Sequence, residues 1–445
     1  MKTKSVIHLN DENVFHNPII ETGADPWMIQ HDEQYYYCGS DNASSIFVSS
    51  ASDPTRIGEA EKVLVWKAPP GRAYSHQTWA PELYCLDGRW YIYFAASNGR
   101  NSSHRLYVLE ADTPFGPYRF KGLISPPTDR WAIDGTVIEH DDGQRYFVWS
   151  GWDGINNVQQ NLYIAKMLNP WTLATSNSVL KSRKKRKDKG KTRTPGDSVA
   201  PGSLMDFEVT APVDGDYILE ISYRSASAAM QQLEVNGAGH VSLHYVATGP
   251  RNTQTHFETV RLKKGANVLS FATGIGDVNL RGIKVKEPFA DRRLLTVPEH
   301  AWEKLGGPAY VVEGPSAIRC NGKLHIIYSA SASWTDDYQL GRLTFLGGDI
   351  MDLKNWKKHG PVFQKTESIF GPGHASFIQF RGQDWIVYHT AKYSGAGWNR
   401  EVRMQPYQWT ESNDPDFGRP LGGFLSKGSD QEREYSADRM DKVGA

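Results

Sequence analysis

Five segments of this chain repeat one pattern: turn residues, an aromatic-rich alternating strand, then usually a small residue. They begin at Glu33 (EQYYYCGS), Gly88 (GRWYIYFAAS), Gly143 (GQRYFVWSGW), Gly322 (GKLHIIYSAS) and Gly382 (GQDWIVYHTA). Successive starts lie 55, 55, 179 and 60 residues apart. Each is followed by another strand and often a turn, as in IFVSSASDP and LYVLEADTPFGPY. Each is preceded by a short apolar strand that enters with a polar residue. A strand-built unit of this length, with no long amphipathic helix, is what a β-propeller blade looks like in sequence. The expected fold is all-β, a five-bladed β-propeller. An array of plain sandwiches is the competing reading, but it has little reason to repeat one aromatic strand at this spacing.

The 179-residue interval leaves about 120 residues that the repeat does not need. They open at Lys181 with KSRKKRKDKGKTRTPGD, a charged run that reads as a solvated linker, with nuclear localisation or phosphate binding as the sharper alternatives. Alternating strands follow, joined by Asp-Gly, Asn-Gly and Lys-Gly turns, the pattern of a small antiparallel β-sandwich. The propeller pattern resumes at AWEKLGG. The expected organisation is therefore a first propeller part at 1–180, a linker and inserted β-sandwich at 181–292, and a second propeller part at 293–445. The insertion falls between the third and fourth blades.

Charge is balanced at 50 Lys+Arg against 50 Asp+Glu, which gives no argument for nucleic acid or an anionic membrane as partner. No window of about 18 apolar residues marks a membrane span. Met1 to Asn10 lacks an apolar signal core, so the expected location is the cytoplasm, or outside the cell with a signal already removed. Cys38, Cys85 and Cys320 are odd in number and lie in or beside strands, as buried free thiols would. The 14 Trp, 21 Tyr and 17 Phe suit many short strands and also suit sugar binding, since the apolar face of a sugar ring packs on an aromatic one.

If the short entering strands are innermost, their polar residues converge on one axial pocket. These are Asp25 (GADPWMI), Glu82 (WAPELY), Asp134 (AIDGTVI), Glu313 (VVEGPSAI) and His374 (GPGHASF). Singly, an Asp beside Pro or Gly is a turn residue. Jointly, one ionisable residue recurs at the matching position of all five units, on strands where a charge is costly unless it lines a site. Paired carboxylates in an aromatic-lined cavity suit acid/base work on a glycosidic bond.

The stretches NPIIETGADPWMI, HQTWAPELY, WAIDGTVIEH, VVEGPSAIRCNGKLHIIYSAS, GPGHASFI and VRMQPYQW resemble glycoside hydrolase family 43, five-bladed propellers that cleave arabinosides and xylosides with inversion. The resemblance spans both propeller parts, about 330 residues. It implies Asp25 as general base, Glu313 as general acid and Asp134 as the carboxylate that tunes and orients the acid. It implies Trp79 and Trp27 as substrate-packing aromatics and Arg403 as a contact to the terminal sugar. His374 matches a channel histidine associated with a hydrated calcium ion; no other cofactor is implied. Glu82 matches a variable position and receives no role. The inserted segment resembles family 6 and 35 carbohydrate-binding modules through GDYILEISYRSASAAMQQLEVNG and LKKGANVLSFATGIGDVNLRGIKV, without their opening strand before Phe207. Tyr223, Tyr245 and Phe257 are its candidate exposed aromatics, with core packing the other fate of Tyr223. The implied activity is exo-hydrolysis releasing terminal L-arabinofuranose from arabinan- or arabinoxylan-type chains of the plant cell wall. A β-D-xylosidase, or a bifunctional enzyme, is the alternative. A non-catalytic sugar-binding propeller or a protein scaffold is the reading from another class, and a complete acid/base set argues against both.

Overall fold

The computed structural model describes residues 14–124, 131–154, 156–174, 179–180, 182–184, 204–212, 214–249, 252–286 and 292–427. The described residues are built from strands and four short 3-10 turns, and no helix among them is long and apolar enough to cross a membrane. They divide into two compact units: one gathers residues up to Ala165 and from Arg293 onward, the other those from Lys166 to Arg292.

The first unit holds successive antiparallel sheets. Trp27–His31, Gln34–Ser40, Ser45–Ala51 and Val63–Lys67 form the first; His76–Leu86, Arg89–Ser97, Arg105–Ala111 and Arg119–Leu123 the second. The third is Ala132–Glu139, Arg145–Trp152 and Gln159–Asn169, with Arg293–Thr296 added antiparallel to its last strand. The fourth is Tyr310–Cys320, Lys323–Ala330, Gln339–Phe345 and Trp356–Phe363; the fifth is Phe370–Phe380, Gln383–Ala391, Arg400–Trp409 and Pro415–Asp416. A short parallel pairing of Gln159 with Tyr310 and Gln160 with Val311 joins the third sheet to the fourth. The succession returns on itself, because each sheet's first strand touches the next one's and the fifth sheet's touches Trp27–His31 again.

The expected alternation along the second strands is not what forms. In Arg89–Ser97 every residue after Arg89 is buried. A sheet stacked between two others has no solvated face, so its strands run apolar on both sides. Ile378, Phe380 and Trp385 of the fifth sheet pack with Met28, Tyr35 and Tyr37 of the first, while Cys38 and Val48 pack with Leu83, Ile92 and Phe94 of the second. Cys38, Cys85 and Cys320 are free thiols, the first fully buried.

The second unit has two sheets over one core. Val179–Leu180, Val278–Lys286, Gly215–Ser225 and Gln254–Leu262 make the four-stranded sheet. Ser182–Lys184, Leu204–Ala211, Gly265–Ile275, Ala229–Val235 and Ala238–Tyr245 make the five-stranded one. Leu219, Ile221 and Leu262 of the former share a cluster with Leu233, Leu243 and Phe271 of the latter. Asn236 and Gly237, at φ 54° and 71°, form the tight Asn-Gly hairpin turn that the sequence signals.

Four expectations are corrected here. The excursion opens inside the third sheet, not between the third and fourth blades, since Arg293–Thr296 returns to pair with Leu162, Tyr163 and Ile164. It opens earlier than Lys181, because Val179–Leu180 already pairs with Val278–Lys286. Ser182–Lys184 is a strand paired with Phe207 to Val209, not linker; the rest of the basic run lies outside the described residues. Tyr245 is no exposed aromatic either. It is 2 % exposed, packs on Tyr223 at 4.6 Å between ring centroids and donates to Gln231 Oε1, while Phe257 is half-buried.

The chain ends of the first unit are tied to the fifth sheet. Val14–Asn17 pairs with Gly423–Ser426, and the buried Asn17 amide donates to Met404 O (2.8 Å) and accepts from Met404 N–H (3.1 Å). Asn17→Ala strands both Met404 groups in a dry site and is expected to lower unfolding free energy by about 2–4 kcal/mol. Urea denaturation measures it; a change below about 0.5 kcal/mol would show that this latch does not hold the ends.

Candidate active site

Four first strands, and the segment just ahead of Trp27–His31, share a backbone device. Asp25, Ala80, Asp134, Gly314 and His374 are left-handed, with φ of 49°, 43°, 52°, 53° and 47°. In the second to fifth sheets the ladder shifts register around that residue. Such residues in a strand are strained by roughly 1–3 kcal/mol when not glycine, and the break re-aims the side chains beside them. The shared conformation aligns the five strands and corrects one expectation. Asp25, Asp134 and His374 occupy the left-handed position itself, whereas Glu313 lies one residue before it and Glu82 two after. The ionisable residues gather in one place from three positions of the repeat, not one.

His374 is the hub. Its Nδ1 lies 3.2 Å from Asp25 Oδ1, and its backbone N–H donates to Ser329 Oγ at 2.7 Å. Burial opposes its charge, but Asp25, Asp134 and Glu313 together lift its pKa to about 9. Asp25 also meets Arg400 Nη1 at 3.4 Å. Burial pushes the Asp25 carboxyl upward, yet His374 and Arg400 hold it well below the usual carboxylate value. Asp134 accepts from Gly314 N–H (3.0 Å) and Glu313 from Tyr338 OH (2.9 Å). Both carboxyls are raised: Asp134 by burial and, against the pull of His374, by Asp25; Glu313 by burial and then by Asp134. Glu82 is buried as well, accepts a hydrogen bond from the Tyr84 hydroxyl at 2.6 Å, and is pushed by burial up to about 8.

Two glycines make this density attainable. A Cβ at Gly314 would stand 3.0 Å from the His374 ring, and one at Gly373 would stand 2.2 Å from the Tyr338 ring. The Tyr338 ring lies nearly parallel to His389, 5.6 Å away, and Arg400 sits over its face. Asp25 N–H donates to His389 Nδ1 at 3.1 Å. The same nitrogen lies 3.4 Å from Asp25 Oδ1. Burial and the Arg400 charge keep His389 neutral, its pKa down to about 3.

Two expected sugar contacts lie elsewhere. Trp27 is 7 % exposed, donates its indole N–H to Leu83 O at 2.8 Å and packs on Tyr84, so it belongs to the core between the first two sheets. Arg403 binds Glu401 and Thr390. Three residues apart on a strand, Arg400 and Arg403 face opposite sides, and it is Arg400 that reaches Asp25. Trp79 sits one residue before left-handed Ala80, the position of Glu313 in its own strand; it is half-buried and stacks on His104 at 3.8 Å between centroids. Calcium takes six to eight oxygen ligands. Among the described residues no three His, Cys, Asp or Glu side chains stand together as a metal site, and His374 faces Asp25 as a cation. The donor set does not fit a protein-held calcium.

Sequence reading missed Arg400, His389 and Tyr338. Antiparallel order held the signal: the site lies at the start of each first strand, hence at the end of the second and the start of the third. His389 lies two residues before the end of Gln383–Ala391, Arg400 starts Arg400–Trp409, and Tyr338 immediately precedes Gln339–Phe345.

The match of this chain to a family model places it in a class of sugar-cleaving enzymes. The chain belongs to glycosyl hydrolases family 43, whose model matches residues 15–196 and 281–415. It is a glycoside hydrolase of that family. It is 24% identical over 92% of its length to an extracellular exo-alpha-(1->5)-L-arabinofuranosidase of Streptomyces avermitilis, covering 64% of that protein. It is 24% identical over 91% of its length to alpha-L-arabinofuranosidase 43 of Humicola insolens, covering 63%. The chain thus spans less than two thirds of either relative. The crystal structure of an alpha-L-arabinofuranosidase from Lactobacillus brevis superposes with a TM-score of 0.61 and 26% identity, covering 92% of this chain and 97% of that one.

The two central histidines are expected to titrate in opposite directions. Nitrogen-15 NMR of the imidazoles should find His374 charged throughout neutral pH and losing its proton near 9, with His389 neutral until the pH falls to about 3. Both rings titrating near 6.5 would contradict the charge distribution described above.

Proposed function

We propose that this enzyme is an inverting exo-glycosidase that releases terminal L-arabinofuranose from arabinan- or arabinoxylan-type oligosaccharides. The observation that carries the reading is the divergence of two carboxyls in one cluster: Asp25 is held ionised while Glu313 is held protonated. Titratable groups driven apart in this way mark base and acid. The arabinofuranosidase names of the relatives above support the sugar.

In this reading Asp25 removes a proton from water as the water oxygen bonds to the anomeric carbon. The bond to the leaving oxygen breaks, and that oxygen takes its proton from Glu313. Tyr338 donates to Glu313 Oε1, which leaves the proton on Oε2 to be delivered. Asp25 need not be a strong base, because the water grows acidic as its oxygen bonds to an oxocarbenium-like carbon. His374 and Arg400 keep Asp25 ionised, and His389 fixes its backbone. Asp134 adds the negative charge that keeps Glu313 protonated, and Gly314 N–H sets its position. Trp79 is the wall for the terminal ring.

The same reading takes the five sheets as blades of a closed propeller and the Lys166–Arg292 unit as a β-sandwich of carbohydrate-binding-module type. The cyclic contacts of the first strands and the single core of the second unit support it.

Proton NMR of the first product from p-nitrophenyl α-L-arabinofuranoside, taken before mutarotation, tests the mechanism. The β-anomer is expected. An α-anomer would make Asp25 a nucleophile, and faster cleavage of the β-D-xylopyranoside would replace the assigned sugar.

A further inference from the structure

Of the 14 tryptophans, twelve are buried or half-buried; only Trp334 and Trp398 are exposed, at 37 % and 67 %. They stand together, ring centroids 6.1 Å apart and nearly perpendicular. Exposing two large indoles side by side is unfavourable unless something covers them. We propose that Trp334 and Trp398 form a platform for the second sugar ring of the substrate, the one on the leaving-group side of the scissile bond. The proposal rests on the glycosidase reading above.

The pair is fixed to the site by short links. Trp398 Nε1 donates to Ser333 Oγ at 3.4 Å, and Ser333 O accepts from Arg400 Nη2 at 2.7 Å. Arg400 in turn meets Asp25. Asp336 ties the two loops together, accepting from Ser394 Oγ (2.5 Å) and Gly395 N–H (2.8 Å). The side of the bond follows from Tyr338. It closes the loop that carries Trp334, and its hydroxyl donates to Glu313. The leaving oxygen must approach Glu313, so the ring beyond that oxygen meets this loop. A sugar ring offers an apolar face to an indole and hydroxyls to its rim, which matches an aromatic pair set among Ser333, Thr335, Asp336 and Asn399.

The test compares two arabinosides that differ only beyond the leaving oxygen: methyl α-L-arabinofuranoside and α-1,5-linked arabinobiose. The readout is the ratio of their kcat/KM values in the wild type, Trp398→Ala, Trp334→Ala and Trp398→Phe. The ratio of arabinobiose to methyl glycoside is expected to fall about tenfold in each alanine variant and to be largely kept by Trp398→Phe. Because the methyl glycoside is measured on the same sample, partial misfolding cancels. An unchanged ratio in a wild type active on both substrates overturns the platform alone, and leaves the indoles to a protein partner. A wild type that cleaves neither overturns the arabinofuranosidase reading and the platform with it.

Discussion

Burying several carboxyl groups around one point is the constraint that the rest of the first unit serves. Glu82, Asp134 and Glu313 are buried and Asp25 is half-buried, and isolated charges there would be costly. Two cations resolve it. His374 and Arg400 settle beside Asp25 and make its ionised form the stable one. What they do not neutralise is relieved by protonation: burial holds a proton on Glu82, and burial with the Asp134 charge holds one on Glu313. Acid and base thus arise from unequal sharing of positive charge within one desolvated cluster. Removing either cation would alter both carboxyls, because the groups titrate as a set.

The strands supply the geometry that makes this sharing unequal. A regular strand would send neighbouring side chains to opposite faces. The left-handed break near the start of each first strand lets Glu313, one residue earlier, join Asp25, Asp134 and His374. Gly314 and Gly373 leave room for the His374 and Tyr338 rings. Tyr338 then links the halves of the cluster, its hydroxyl on Glu313 and its ring against His389 and Arg400.

Much of this was legible beforehand. The aromatic repeat marked the five second strands, and the polar residues entering the preceding strands marked the cluster. Trp27 was misplaced because an aromatic near a polar motif looks alike in core and in pocket; only its indole bond to Leu83 O decides. Arg403 is what the family resemblance implies for the sugar contact, but in NREVRMQPYQW the end of the strand nearest the cluster is the Arg400 end. The start of the excursion was masked by charge. Ser182–Lys184 pairs as a strand although its lysine-rich context reads as linker, since an edge strand tolerates charged residues that a central one does not.

The central claim is that Asp25 and Glu313 hold opposite protonation states at the same pH. Carbon-13 NMR of the side-chain carboxyls, assigned by loss of signal in Asp25→Asn and Glu313→Gln, measures it. The account predicts an ionised Asp25 down to the lowest pH at which the protein stays folded, and a Glu313 that keeps its proton well above the ordinary glutamate range. Two carboxyls that both lose their protons near pH 4 would contradict it.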